Sequence, residues 1–569
     1  MKVSDYFVDF LIKNEVTDVF GMPGGVILDF LDSMGKRKEK ITAHLNYNEQ
    51  ASAFAACGYA QVFGKLAVAY ATRGPGITNM ITGIADSFCG SLPCVFITAH
   101  SHKSILADIR IETDQEFDTV RMLSPVTKYA VKIENADDVR YEVEKACYLA
   151  ANGRPGPVLL DFLTNVLKAD INPEMQRPFI PAEPDYGNYS SCDAIVKRVK
   201  SELGKAKRPI ILIGDGIWQS NTQEYIKKLA RKWNIPILSS RSAQDIVPDY
   251  ENYYGYIGSH AARYGNFILS KCDLIIALGN RLMFNPDSKS FGVLTHRAKI
   301  IRIDIDKNEF LREIPNAVNF VCDLKKIMPP LAECAIEWKD SSNWIPVCKE
   351  IKEALYVCDT GYPVNIISEI IKNAGEQTVI TSDVGNNEFW LSRAYAFSGA
   401  SNRVLYSKSF GALGCSLPKA VGAYYSTKNR VLCFTGDQGL QMNLQELNFV
   451  AKENLPVSII LLNNFSSEMI RDQQEKKFGS RFMCTTAGSG YSAPKFKKLA
   501  DAFGINYICF DAKTGPDAMT PALNGGGPVF IEVLLDENAG EIPYLPMGRP
   551  MQNLVPEIDG ALYQKLERL

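Results

Sequence analysis

Residues 433–469 read CFTGDQGLQMNLQELNFVAKENLPVSIILLNNFSSEM. An apolar run ends in Gly436-Asp437-Gln438-Gly439, a helix-like segment follows, and a second apolar run ends in Asn463-Asn464. Strand, helix and strand in that order make a parallel βαβ unit. Asp437 then stands at the carboxyl edge of the sheet, where open α/β folds bind ligands. The helix behind it starts with free N–H groups and the positive end of a dipole, which suit a phosphate. Asn464 ends the next strand, 27 positions after Asp437, so its amide oxygen can lie beside that carboxylate. A carboxylate, an amide oxygen and a backbone carbonyl are hard ligands; diphosphate oxygens and a water would complete an octahedron around Mg²⁺. A strand-end Gly-Asp alone is as consistent with a helix N-cap. The second strand end, with Asn-Asn at this distance, makes the pattern specific.

The same rhythm runs outward in both directions. LAVAYAT, PCVFITA, PVLLDF, PIILIGD, DLIIALG, KIIRIDI, TVITSDV, RVLCFTG, PVSIILL and PVFIEVL read as buried parallel strands. Helix-length amphipathic stretches such as Glu49–Phe63 and Gln223–Trp233 lie between them. The alternation predicts α/β domains with sheets covered on both faces. The Pro-rich stretch 166–192 and the polar stretch 336–362 break it and read as linkers. Three doubly wound parallel-sheet domains are therefore expected at 1–165, 193–335 and 363–535. The tail 536–569, rich in Pro and Gly, reads as a cap, a lid or a flexible end.

Composition excludes several classes. With 46% hydrophobic and 22% charged residues and a net charge of −2, nothing favours nucleic acid or an anionic membrane. No apolar run reaches the roughly 18–20 residues of a membrane span. The start, MKVSDYFVDFLIKNEVTDVF, reads as an amphipathic helix and a strand without a cleavage signal, which predicts a cytoplasmic protein. The 14 cysteines form no Cys-x-x-Cys and read as reduced, mostly buried thiols. The five histidines lack zinc spacing; His100 and His102 read as a strand end.

The Asp437–Asn464 spacing resembles the diphosphate motif of thiamine-diphosphate enzymes. VFGMPGGVILDFLD (19–32), HLNYNEQASAFAACGYAQVFGKLAVAYATRGPGITNMITGIADSF (44–88), SPVTKYAV (124–131) and GRPGPVLLD (153–161) resemble the pyrimidine-binding domain of the acetolactate synthase branch. SKSFGALGCSLPKAVGAYY (407–425) resembles its diphosphate domain; RPIILIGDG (208–216) and IGSHAARYGNFILSKCDLIIALGNRL (257–282) resemble its central domain. AYATRGPGITNMI, SGYSAPKFKKLADAFGI and GRPMQNLVP are similar to synthase-like proteins of bacterial surface-polysaccharide pathways.

Position by position, the resemblance implies a role for each matching residue. Glu49 activates the pyrimidine of the cofactor, and Leu413 is the apolar wedge that folds it. Asp437, Asn464 and the Ser466 carbonyl hold Mg²⁺. Gly385, Asn386, Asn387, Gly436, Gln438, Gly439 and Met469 surround the diphosphate. Gly24, Gly25 and Gln115 line the reacting face with Glu49. A 2-oxo acid loses CO₂, and the acyl-anion equivalent passes to a second carbonyl or is protonated. An active site shared between subunits is implied too, so a homodimer or homotetramer is expected.

Five positions depart from the family or bear on the substrate. Gln438 stands where the motif has its second Gly. Asp114 replaces an aromatic residue before Gln115, Gln473 replaces a Trp, and Arg73 replaces a small polar residue; with Lys128 these are the candidate substrate-pocket residues. Aromatic walls suit small alkyl acceptors. Polar ones suggest a larger polar carbonyl compound, such as a keto sugar, with pyruvate as donor. A synthase joining two 2-oxo acids, a simple decarboxylase and a catalytically silent subunit are the alternatives. A plain dinucleotide oxidoreductase lacks its Gly-x-Gly-x-x-Gly after the first strand. FAD, common in the branch, is an open expectation, because the usual Asp-Asp-Arg after Gly-Asn-Arg-Leu is missing.

Overall fold

The computed structural model of the chain describes residues 1–101, 114–181, 189–283, 297–336, 338–359, 361–511, 523, 525–537, 539–540 and 543–569. Its three six-stranded sheets are wholly parallel. The first holds β1 (Asp18–Gly21), β2 (Thr42–Leu45), β3 (Ala67–Tyr70), β4 (Cys94–His100), β5 (Tyr129–Ile133) and β6 (Val158–Leu163), in the order β2-β1-β3-β4-β6-β5. The second holds β7 (Pro209–Ile213), β8 (Ile237–Ser239), β9 (Tyr253–Tyr256), β10 (Leu274–Leu278), β11 (Lys299–Asp304) and β12 (Ala317–Val321), in the order β12-β11-β10-β7-β8-β9. The third holds β13 (Val379–Ser382), β14 (Val404–Leu405), β15 (Val431–Gly436), β16 (Val457–Asn463), β17 (Asn506–Phe510) and β18 (Val529–Leu534), in the order β14-β13-β15-β16-β18-β17. The first and third sheets thus share one winding, and the central sheet has another.

Central strands such as β4, β7, β10 and β16 are buried along their whole length, which is why they read as unbroken apolar runs. Edge strands such as β12 and β17 are only half-buried and carry weaker patterns. The helices Glu49–Phe63 and Gln223–Trp233 have the predicted bounds.

The first and third domains are locked by one helix crossing. Helix Glu49–Phe63 is buried nearly all round and packs on Ser416–Thr427. A Cβ at Gly422 would lie 1.8 Å from the Ala55 carbonyl oxygen, and one at Gly58 2.2 Å from that of Lys419. Only glycine allows backbones this close. Beside the crossing the Lys419 ammonium pairs with Asp86 at 2.8 Å, and both are buried.

One expectation changes, and the tail takes its ordered alternative. Within 336–362 lies the helix Trp344–Tyr356, whose Trp344, Cys348, Ile351 and Leu355 are buried against the central domain. Its apolar residues fall at spacings of four, three and four in a polar stretch, so the stripe is narrow and easily overlooked. The tail folds back on the central domain: Met551 and Leu566 enter that core, and Arg263 donates to the Leu554 carbonyl at 3.0 Å. Among the described residues no helix is long and apolar enough to cross a membrane.

Candidate active site

The carboxyl edge of the third sheet carries a cluster of buried polar groups. Asp437 begins the short helix Asp437–Met442 directly after β15. Burial pushes its carboxyl up to about 6, while the Tyr491 hydroxyl and the N–H groups of Gln438 and Ser466 pull the other way. One of its oxygens, Oδ2, is buried without a hydrogen-bond partner. Asn464 donates its amide N–H to Glu468 at 2.5 Å, so its amide oxygen is the atom that could meet a cation. Gly385, at φ 122°, caps the helix Asn386–Ser398. Both polar side-chain atoms of Asn387 and the Oδ1 of Asn386 are buried without partners. Buried polar atoms are nearly always paired in native proteins. This group therefore fits a diphosphate with its cation. Among the described residues no three His, Cys, Asp or Glu side chains converge. A one-carboxylate set needs oxygens from the ligand, as Mg²⁺ on a diphosphate has.

Gln438 causes no strain. Its side chain is exposed, it lies in the first turn of the helix, and its φ is negative. The glycine that matters is Gly439, where a Cβ would come within 2.9 Å of the Asp383 carboxyl carbon. Asp383 is buried and accepts from the N–H groups of Gly414 (2.7 Å) and Val384 (2.8 Å) and the Thr435 hydroxyl (3.0 Å); burial pushes it up to about 6. It ends β13 as Asp437 ends β15, and the same strand-end logic in TVITSDV would have found it. Leu413 belongs to none of the buried clusters and is only half-buried. It stands between Gly411 (φ 68°) and Gly414 (φ 83°). Met469 and Gln473 are half-buried on or beside the same helical segment, Glu468–Phe478.

The first sheet contributes the other half. Glu49 is buried at the start of its helix and accepts from the Asn79 amide at 2.9 Å. A Cβ at Gly76 would lie 3.2 Å from Glu49 Oε1, and one at Gly24 2.3 Å from Thr72. Gly25 is exposed with open space around it. Gln115 adopts φ 61° and packs on Gly74, while Asp114 beside it is exposed. Arg73 pairs with the buried carboxylate of Glu116. Lys128 does not join this group. It precedes β5 at the amino end of the sheet, and its ammonium caps the carbonyls of Asn152 (2.9 Å) and Arg154 (2.7 Å). The strand direction places it opposite Glu49.

The two halves meet through a carboxylate that the sequence did not single out. Glu446 is fully buried, and accepts from the Asn46 amide at 2.8 Å and the Tyr47 N–H at 2.9 Å. Burial pushes it up to about 7. It thereby holds the loop that delivers Glu49. No hydrogen bond or ion pair joins Glu49 itself to Asp437 or Asn464 among the described residues.

A cleft of about 330 Å³ opens at the carboxyl ends of β7, β10 and β11. Its Gly-rich turn is already committed: a Cβ at Gly214 or Gly216 would come within 2.2 or 2.6 Å of the Gly279 backbone. Asp215 places a carboxylate at the tip of that turn, paired with Lys408. At this turn a diphosphate would meet the Asp215 carboxylate, while Arg154, Arg241, Arg281, Lys325 and Lys408 also line the cleft. The segment after Met283 lies outside the described residues.

Comparison with known proteins agrees with this architecture. The chain matches the thiamine pyrophosphate enzyme family in three parts: the N-terminal TPP binding domain over residues 1–122, the central domain over 196–331 and the C-terminal TPP binding domain over 383–533. It is 30% identical to the acetolactate synthase large subunit of Lactococcus lactis subsp. lactis, covering 93% of this chain and 92% of that one. It is 29% identical to the acetolactate synthase isozyme 2 large subunit of Escherichia coli, with 98% and 100% covered, and 29% identical to the large subunit of Pyropia yezoensis, with 96% and 94% covered. The chain belongs to the thiamine pyrophosphate enzymes. Within them it is acetolactate synthase-like: a thiamine-diphosphate-dependent carboligase or lyase.

Proposed function

We propose that this enzyme decarboxylates a 2-oxo acid, pyruvate in the simplest case, and transfers the acyl unit to a polar carbonyl acceptor such as a keto sugar. The balance is 2-oxo acid plus acceptor carbonyl plus one proton, giving CO₂ and a 2-hydroxy ketone. The observation that carries the reading is the polar character of the reacting side. Arg73 and exposed Asp114 in the first domain, and half-buried Gln473 in the third, stand where the resemblance expects small or aromatic residues. Such a wall favours an acceptor that makes hydrogen bonds over a small alkyl one.

Thiamine diphosphate supplies the electron sink for the acyl carbanion equivalent left when CO₂ departs. Asp437, Asn464 and Ser466 would hold Mg²⁺ on its diphosphate, and Asn386 and Asn387 would contact the same group. Glu49, which accepts from the Asn79 amide, would exchange a proton with the aminopyrimidine. Leu413 would press the cofactor into a bent shape. At least a homodimer is the working unit in this reading. A second reading, condensation of two 2-oxo acids, is supported by the names of the relatives.

The test is CO₂ release from pyruvate by protein loaded with thiamine diphosphate and Mg²⁺, with and without keto sugars, using Glu49→Gln as control. Faster release with a keto sugar than with added pyruvate supports the first reading. Equal or better use of pyruvate as acceptor sinks it in favour of the second.

A further inference from the structure

The loop after β3 carries a cation whose hydrogen-bonding capacity is only partly used. Arg73 is 17% exposed. One nitrogen, Nη1, donates to both the Glu116 carboxylate and the Ser101 hydroxyl. Nε and Nη2 have no partner among the described residues. Glu116 is itself buried and accepts from the Ser101 N–H at 2.7 Å, so it is anchored at the end of β4 and fixes the guanidinium. A guanidinium held at one nitrogen still presents a two-donor edge that matches a carboxylate or phosphate.

The loop is tied to the reacting side at three points. Thr72 packs on Gly24, Gly74 on Gln115, and Gly76 on Glu49. Arg73 therefore belongs to the same wall as the groups that face the chemistry.

We propose that Arg73 binds an anionic group of the acceptor, so that the acceptor is an anion: the carboxylate of a second 2-oxo acid or the phosphate of a sugar phosphate. This rests on the carboligase reading above and names the acceptor class within it. The donor carboxylate is the poorer partner. It must leave as neutral CO₂, so a cation on it stabilises the bound substrate more than the transition state and slows the step. An acceptor anion keeps its charge from binding to release, so the contact lowers KM without opposing the chemistry. Glu116 is a positioning residue in this arrangement.

The experiment uses the enzyme loaded with thiamine diphosphate and Mg²⁺, pyruvate as donor, and acceptors in matched pairs. Dihydroxyacetone phosphate is compared with dihydroxyacetone, and acetolactate formation with acetoin formation in the presence of acetaldehyde. Wild type should favour the anionic member of one pair, which also tells phosphate from carboxylate. In Arg73→Gln/Glu116→Gln, which leaves no unpaired buried carboxylate, that preference should fall about ten- to hundredfold, as expected for a charge-assisted hydrogen bond. Arg73→Lys should keep part of it, and the loss should appear mainly in KM. No anion preference in wild type, or the same preference in the double variant, overturns the proposal. Absence of CO₂ release from any 2-oxo acid would instead sink the carboligase reading. Calorimetric titration of dihydroxyacetone phosphate against dihydroxyacetone, into wild type and double variant, then decides the Arg73 question alone. An Arg73-dependent preference upholds it, and equal binding refutes it.

Discussion

The first and third domains wind their strands in the same order, yet the same place in each carries opposite charge. β3 and β15 are the third strands of their domains. The loop after β3 bears Arg73, and β15 is followed at once by Asp437. Beyond the next strand come Ser101 in one and Asn464 in the other. Arg73 has a carboxylate partner within its own domain, whereas Asp437 keeps a buried oxygen unpartnered. The winding supplies a location, and the residue at that location sets its charge: a cation with a carboxylate partner at Arg73, a carboxylate with one unpartnered oxygen at Asp437.

The largest expected effect comes from separating the two domains. Gly422→Val drives a side chain into the Ala55 carbonyl and should cost roughly 3 kcal/mol or more, read as a fall in thermal midpoint. Gly488→Ala, where a Cβ meets open space, should change it little. If both behave alike, the helix crossing does not hold the halves together.

Next come the two carboxylates. Glu49→Gln should slow CO₂ release about 10²–10⁴-fold with cofactor retained, as loss of a proton-transfer group does. Asp437→Asn should instead weaken Mg²⁺-dependent cofactor retention, with much of the rate restored by excess cofactor and metal. Equal losses of rate and binding in both variants would erase the proposed division of labour.

Glu446 couples the halves to pH. Its folded value of about 7 lies above its ordinary 4.5. The unfolded chain releases this proton first. The stability it contributes is therefore complete below pH 4.5, falls as pH rises towards 7, and is lost above. The loss is roughly 3 kcal/mol in all, at 1.36 kcal/mol per unit. In Glu446→Gln this slope should vanish from the difference between denaturation midpoints across pH 4.5–8. An unchanged slope would show that other buried acids, such as Asp383 and Glu468, account for it.

The smallest effect belongs to Gln438→Gly. The exposed side chain and ordinary φ mean that cofactor affinity should move by less than about threefold.

Much of this was legible before any coordinates. Strands buried on both faces announced themselves as apolar runs, and Glu49–Phe63 read as a helix-length stretch between two of them; the structure adds its Asn48 N-cap and Gly64 at φ 70°. Asp437 and Asn464 were legible as strand-end residues because an apolar run stops just before each of them. Edge strands were not, since a half-buried strand needs only a weak pattern. Lys128 was misplaced because a motif match says nothing about which end of a strand a residue occupies. Arg73 was read as a cation, but its partner Glu116 lies 43 positions away.

The sequence by itself determined the three-domain α/β architecture, the family and the residue types at each strand end, because hydrophobic periodicity and local spacing carry that information. Tertiary structure alone decided which charges are compensated. Glu446 on the loop of Glu49, Glu116 on Arg73 and Asp383 against Gly439 join strand ends or whole domains that the chain separates. The physical reason is burial: a charge removed from water needs a partner, and only the packed fold settles which one it meets.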